Sequence, residues 1–380
     1  MLKVASLKSK HKVNISATSV VLICAVLLLC VIGIIMVYSA SSYSALKQYK
    51  NEYFFFTKQI FGVLIGLAFL VIFYFFDYGK LKKYKYLLLI GAIVGLILVF
   101  IPGMGVENYG ARRWINFFGF SFQPSELAKF ALILFCASYL SENYKNIKTF
   151  KKIIPPLLVG GLLCLLIISE PNMSVTMCMG ATLILMLILG GITKKHMLML
   201  SVPATLVIPT LILLEPYRMK RLMAFIDPWA NPQGEGFQLI QSLYALGNGG
   251  LFGVGLFNSR QKYLFLPFSE SDFIFAIIGE ELGLLGSIFI LGLFITIIIC
   301  LIKIALNAKD RFGALLSSGI ASLIGIQVAI NVAVVTGSIP PTGLPLPFIS
   351  AGSTSLLVFM SAIGVVLNVD RQSRKSKILN

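Results

Sequence analysis

Apolar runs of about 17–25 residues, the length of a helix that crosses a bilayer, recur along almost the whole of this chain. They lie near 16–40, 54–76, 86–101, 124–141, 153–169, 172–192, 197–214, 272–302, 312–336 and 351–369. A soluble globule of 380 residues could not bury them: hydrophobic residues are 57% and charged residues 12% of the chain, against about 45–50% and about 25% in soluble domains. The expected fold class is all-α, a polytopic integral membrane protein of about ten transmembrane helices. The first run follows Lys3, Lys8, Lys10 and Lys12, but its apolar core exceeds the ~7–15 residues of a cleaved signal peptide. It is expected to be retained.

A formal charge of +17 could signal a polyanion partner, but the positions of the charges give it another meaning. With the N-terminus in the cytoplasm, inner segments hold 21 Lys and Arg and outer segments 10, counting Lys58 with the loop before it and leaving Lys129 inside a span. Basic residues mark cytoplasmic loops, so both termini are expected inside and no nucleic acid is implied. The organisation is then a cytoplasmic tail at 1–15, a membrane domain at 16–369 with a large extracytoplasmic loop at 215–271, and a cytoplasmic tail at 370–380. The six cysteines fall in apolar runs without CxxC spacing and read as packing residues. Both histidines, His11 and His196, fall on the cytoplasmic side, which excludes a His-dependent triad or His-ligated metal on the outer face.

The outer loops hold the residues with chemical potential. Loop 102–123 carries Arg112, Arg113 and Trp114; two arginines against the positive-inside bias suit either interfacial anchoring or a phosphate or pyrophosphate ligand. After Gln123, Pro124 stands at the first turn of a helix in which Glu126 and Lys129 share one face. Such a pair either locks two helices or lines a polar cavity. Glu170 sits in a short outer turn, where it could cap, be solvated or play a catalytic part. The long loop offers Arg218, Arg221, Gln241, Ser242 and Lys262, and a glycine run at 247–255 that matches no nucleotide fingerprint. That run permits close backbone approach where protein shields it. Asp272 stands where the loop re-enters the membrane, with Glu280 and Glu281 about 12–13 Å deeper along a helix. It is placed either to cap that helix or to act as a general base. The last outer loop, 337–348, has four prolines and no charge, so it can shape a site but not perform acid–base work.

Together these motifs strongly resemble the SEDS family of shape, elongation, division and sporulation proteins, which includes FtsW, RodA and SpoVE. The matches are Gly110 to Ile115, Gln123 to Lys129, Gln241-Ser242, Asp272 to Ala276, Gly279 to Gly283, and Thr342 to Pro345 continuing through Ser350 to Ser353. The resemblance runs over nearly the whole chain after residue 15. Asp227-Pro228-Trp229 and the stretch from Gly255 to Lys262 look more like the FtsW/SpoVE branch. Two positions depart from the family's pattern: Glu270-Ser271-Asp272 stands where His-Thr-Asp is frequent, and Pro171-Asn172 where Pro-Asp is frequent.

The resemblance implies a peptidoglycan glycosyltransferase that polymerises lipid II on the outer face of a bacterial cytoplasmic membrane. It also implies a class B penicillin-binding transpeptidase and other division or sporulation proteins as partners. The family's essential aspartate matches Asp272 and its in-membrane acid–base pair matches Glu126 and Lys129. The expected reaction is a single inverting displacement in which Asp272 deprotonates the acceptor 4-hydroxyl and undecaprenyl pyrophosphate leaves. Candidate residues for pyrophosphate or glycan are Arg112, Arg113, Trp114, Arg218, Arg221, Gln241, Ser242, Lys262, Glu280 and Ser353, with magnesium or manganese as a candidate helper. The rival reading is a transporter that flips lipid II, since charges within spans and Pro/Gly-broken helices serve transport equally.

Overall fold

The computed structural model describes residues 15–108, 111–117, 120–200, 210, 213 and 215–379. The N-terminal tail with His11, Gly110, and most of the expected span at 197–214 lie outside the described residues. The helices are α1 (Ala17–Tyr49), α2 (Phe54–Phe75), α3 (Tyr78–Leu81), α4 (Lys85–Leu98), α5 (Pro124–Asn143), α6 (Ile154–Ser169), α7 (Met173–Gly190), α8 (Pro216–Ile226), α9 (Phe237–Gly249), α10 (Ile274–Leu306), α11 (Arg311–Val335) and α12 (Ser353–Leu379). Six of them, α1, α2, α7, α10, α11 and α12, are long and apolar enough to cross a membrane, and α4 and α6 are shorter apolar helices.

Burial sorts the helices into an inner and an outer set. Most of α5 is buried; it packs on α4, α6, α7, α11 and α12. Such a helix can carry Ser125, Glu126, Lys129 and Ser138, because protein rather than lipid surrounds them. The outer helices do the reverse. Phe61, Leu64 and Phe75 on α2, Leu87 on α4, Leu158 and Leu165 on α6, and Leu285, Phe289 and Ile295 on α10 all point outward. In water that surface would aggregate; against acyl chains it is the expected solvent boundary.

Two features differ from the sequence expectation of an all-helical chain with simple loops. Loop 102–123 forms a small antiparallel sheet, β1 (Gly105–Asn108), β2 (Ala111–Phe117) and β3 (Phe120–Phe122), in the order β1-β2-β3. The strands are too short and too rich in glycine and aromatics to show a clear two-residue period. The sheet is nonetheless what separates the two arginines: side chains alternate along a strand, so Arg112 is exposed while Arg113 and the buried Ile115 turn the other way. Thr354 joins the sheet to α12, its Oγ1 accepting from the Gln123 N–H (3.2 Å) and donating to the Ser121 carbonyl (3.1 Å).

The second feature is a break in α10 at Gly283, whose φ of 68° and ψ of −166° no L-residue adopts comfortably. The glycine run after α9 lies against this break and satisfies the backbone groups that the helix releases. Val254 N–H donates to Glu280 O (2.9 Å) and Gly255 N–H to Glu281 O (3.1 Å), while Leu284 N–H and Leu285 N–H donate to Gly250 O (2.9 Å) and Leu251 O (3.2 Å). An interrupted helix next to lipid is tolerable only where protein makes these bonds. Gly283→Ala is expected to lower stability by about 2–4 kcal/mol, since its Cβ would also meet the backbone of Leu251 and Gly253. Gly292→Ala in the same helix, where the space is open, is expected to raise stability by about 0.5–1 kcal/mol. Thermal unfolding of the two variants in detergent measures both.

Candidate active site

The C-terminal ends of α6 and α11, the start of α10, helix α8 and strand β2 converge on Asp272. The N-cap of α10 is Phe273 and makes no side-chain cap bond, so Asp272 does not serve as the helix cap. Its carboxylate instead lies over Gly343: a Cβ built there would stand 2.6 Å from Asp272 Oδ2. Three consecutive carbonyls fix the segment. Glu270 O accepts from Ala351 N–H (2.9 Å), Ser271 O from the Ser350 hydroxyl (2.6 Å), and Asp272 O from Asn331 Nδ2 (2.8 Å).

Two of the four candidate arginines bear on this carboxylate. Arg113 donates from Nε to Glu170 O (3.2 Å) and from Nη2 to Pro171 O. Arg221 donates to Pro341 O (2.8 Å) and stacks over Tyr217, 4.7 Å from its ring centre. Both guanidiniums are thus held by loop carbonyls, and neither forms a salt bridge among the described residues. Burial raises the Asp272 pKa to about 6, opposed by the positive charges of Arg113 and Arg221 and assisted by Glu270. By accessible surface Asp272 is only half-buried; close packing of protein atoms around the carboxylate, rather than full enclosure, accounts for the rise. A carboxylate poised near 6 is ionised at neutral pH yet basic enough to accept a proton.

Glu170 departs from the solvated turn that its sequence position suggests. It is buried, and neither carboxylate oxygen has a hydrogen-bond partner among the described residues. Burial pushes its pKa up to about 8 against the pull of Arg113, so the carboxyl is mostly protonated at pH 7.

The in-membrane pair lies deeper. Lys129 Nζ sits 2.8 Å from Glu126 Oε1, and both side chains are 1% exposed. Lys129 also donates to Gln327 Oε1 (2.7 Å), whereas no other hydrogen bond reaches the Glu126 carboxylate among the described residues. Gln327 passes the contact outward by donating from Nε2 to Pro345 O (2.8 Å).

Other sequence candidates occupy different surroundings. Lys262 and Glu280 belong to a second buried cluster around the break in α10. Lys262 Nζ contacts Glu281 (3.2 Å), Ser39 Oγ (3.2 Å) and Phe257 O (2.6 Å). Glu280 accepts from the Ser259 hydroxyl and from the N–H groups of Arg260 (3.2 Å) and Gln261 (3.3 Å). The Ser242 hydroxyl donates to Val335 O (2.8 Å), tying α9 to the end of α11. Gln241, Trp114 and Arg218 are half-buried, and Arg112 and Ser353 are exposed. Among the described residues no three His, Cys, Asp or Glu side chains converge as a metal cage. A 510 Å³ cavity beside α8, lined by residues such as Lys220, Met223, Asp227 and Glu235, includes none of Asp272, Arg113 and Arg221. Gln327 and Asn331 were not singled out by sequence reasoning; the only signal was two amides four residues apart in an otherwise apolar helix.

The profile of a family described as "Cell cycle protein" (FtsW/RodA/SpoVE) matches residues 19–375. Stage V sporulation protein E of Bacillus subtilis is 42% identical over 360 residues, covering 94% of this chain and 98% of that protein. The Geobacter metallireducens protein named "Probable peptidoglycan glycosyltransferase FtsW" is 40% identical, covering 93% and 95%. Among solved structures, a chain of a peptidoglycan synthase complex that coordinates polymerization and crosslinking superposes with a TM-score of 0.77 at 28% identity, covering 93% of this chain and 97% of its own. The rod shape determining protein RodA of Thermus thermophilus gives 0.68 at 25% identity, covering 92% and 96%.

Two expectations follow from the buried carboxylates. Lys129→Ala should destabilise by about 3–5 kcal/mol, because it leaves Glu126 with no partner in a buried site. Glu126→Ala should cost less, since Lys129 keeps Gln327, and the double variant should be more stable than Lys129→Ala; thermal melts of the three purified proteins decide this. For Glu170 the folded-state pKa is above the unfolded one, so stability is greatest at low pH and falls as pH rises between about 4.5 and about 8. Glu170→Gln removes that titration. Its melting temperature should exceed the wild-type value by a margin that opens from pH 5 to pH 8, and a constant margin would contradict the buried protonated carboxyl.

Proposed function

The chain belongs to the FtsW/RodA/SpoVE family of cell cycle proteins, and from that premise we propose that it is a multi-pass membrane peptidoglycan glycosyltransferase with Asp272 as its general base. The convergence of one poised carboxylate with two guanidiniums that form no salt bridge among the described residues carries the proposal. In the reaction Asp272 takes the proton of the acceptor 4-hydroxyl as that oxygen attacks the anomeric carbon of the donor. The bond to undecaprenyl pyrophosphate breaks from the opposite face, so an α-linked lipid II gives a β-1,4 product in one displacement. Arg113 and Arg221 stabilise the charge that develops on the departing pyrophosphate. Magnesium or manganese would come held chiefly by the pyrophosphate oxygens, in keeping with the small number of carboxylates at the site.

The site is proposed to face the extracytoplasmic side, a reading supported by the 21-to-10 distribution of basic residues. A class B penicillin-binding transpeptidase is the proposed partner. The matching synthase complex is described by its coordination of polymerization and crosslinking, which supports that pairing. Both named relatives, one a sporulation protein and one an FtsW, support a role in division or sporulation.

Asp272→Asn is expected to fold and to bind lipid II, yet to polymerise it about 10²–10⁴-fold more slowly. In the unaltered enzyme kcat/KM should fall as pH drops through about 6, because only the ionised carboxylate accepts a proton. Polymerisation of lipid II by purified protein in detergent measures both effects. Near-normal turnover by a well-folded Asp272→Asn protein would sink the mechanism. Intact flipping in vesicles without any polymerisation by the unaltered protein would favour the transporter.

A further inference from the structure

Two primary amides sit one turn apart on the same face of α11, Gln327 at 0% and Asn331 at 1% exposure. An apolar side chain would pack in such a helix without the desolvation that a buried amide incurs. Their donors are all directed at non-helical backbone of the site. Asn331 uses Nδ2 for two bonds at once, to Asp272 O (2.8 Å) and Leu344 O (2.7 Å). Gln327 donates to Pro345 O (2.8 Å) and accepts from Lys129 (2.7 Å).

We propose that Asn331 is a positioning residue for the base, and that Gln327 ties the same loop to the Glu126–Lys129 pair. This rests on the reading of Asp272 as general base. Of the three carbonyls fixed at 270–272, those of Glu270 and Ser271 are held by residues 350 and 351 of the last outer loop and its end. The carbonyl of Asp272 itself is held from a packed helix. The second bond of Asn331 grips Leu344, next to the Gly343 surface on which the Asp272 carboxylate rests. One amide group thereby sets both the start of the carboxylate side chain and the surface it lies on. Asn331 Oδ1 is buried and accepts no hydrogen bond among the described residues. A flipped amide would bring that oxygen against two carbonyls, so the donor orientation is the one the site selects.

The test uses full-length protein in detergent with lipid II as substrate. Asn331→Leu removes both donors while keeping a similar volume. Gly343→Ala displaces the carboxylate from below and touches no amide. Both are expected to lower kcat about 10- to 100-fold, the scale of an ångström-sized misplacement, with KM little changed. A carboxylate freed toward water also loses the burial that raised its pKa, so the acid limb of kcat/KM should move to lower pH in both variants. A merely structural role would reduce the active fraction at every pH and leave the limb in place; that result overturns the proposal. So does a Gly343→Ala enzyme with the unaltered kcat and pH profile, whether or not Asn331→Leu folds. Asp272→Asn run alongside separates the two levels of the argument. If it is inactive while Asn331→Leu and Gly343→Ala are unaffected, positioning fails alone; if it is active, the general-base reading itself fails.

Discussion

Backbone that leaves the helical state near a bilayer must find its hydrogen bonds within the protein, and the half of this molecule around Asp272 is organised by that requirement. The last outer loop is rich in proline, which supplies carbonyls but no N–H groups, so its acceptors outnumber its donors. Buried side-chain amides correct the imbalance. Gln59 from α2 reaches Ile349 O (3.2 Å), Gln327 reaches Pro345 O (2.8 Å) and Asn331 reaches Leu344 O (2.7 Å). Ser350 serves both roles, accepting from Leu346 N–H (2.7 Å) and donating to Ser271 O (2.6 Å). Side chains of α2, α8 and α11 together hold the loop's carbonyls, and the Asp272 carboxylate packs against the surface fixed in this way.

The same requirement explains where the charges lie. Glu126 and Lys129 occupy the most enclosed helix and neutralise each other, with the ammonium shared by Gln327. Glu280, Glu281 and Lys262 occupy the break in α10, where the carboxylates accept the N–H groups of the 259–261 turn. In both clusters opposite charges meet directly. The outer site is different: Arg113 and Arg221 donate to carbonyls, which orient a guanidinium without cancelling its charge. Two guanidiniums held by carbonyls beside the half-buried carboxylates of Asp272 and Glu270 keep charge available for an anionic group, an arrangement that differs from the directly paired charges of the two structural clusters.

Long apolar runs made the membrane class and most helix positions legible, because a span is a local property of about twenty residues. Short motifs made Asp272, Glu126 and Lys129 legible as candidates, because charges at such places stand out against an apolar background. The division of Arg112 from Arg113 was not legible, since it depends on a strand period within a seven-residue strand flanked by glycine and aromatics. Nor was the burial of Glu170, which depends on the approach of β2 to the α6–α7 turn, far apart in sequence. Gln327 and Asn331 escaped notice for the opposite reason to Asp272. An uncharged amide in an apolar helix is a weak signal, and its value appears only when the acceptors it meets are known.

Depth within the membrane is therefore divided by task. A base at the level of Glu126 would be buried too far for a sugar hydroxyl to reach it and would need a permanent counter-charge, which would lower its basicity. A base in the open loop would titrate as an ordinary carboxylate near 4 and be a poor proton acceptor at neutral pH. Asp272, the proposed base, stands between these limits, packed closely enough for its pKa to rise to about 6 and only half-buried. Holding a carboxylate at that level takes contacts from below as well as from the loop. The amides of α11 are suited to provide them, because their helix runs from the buried ion pair to the outer surface.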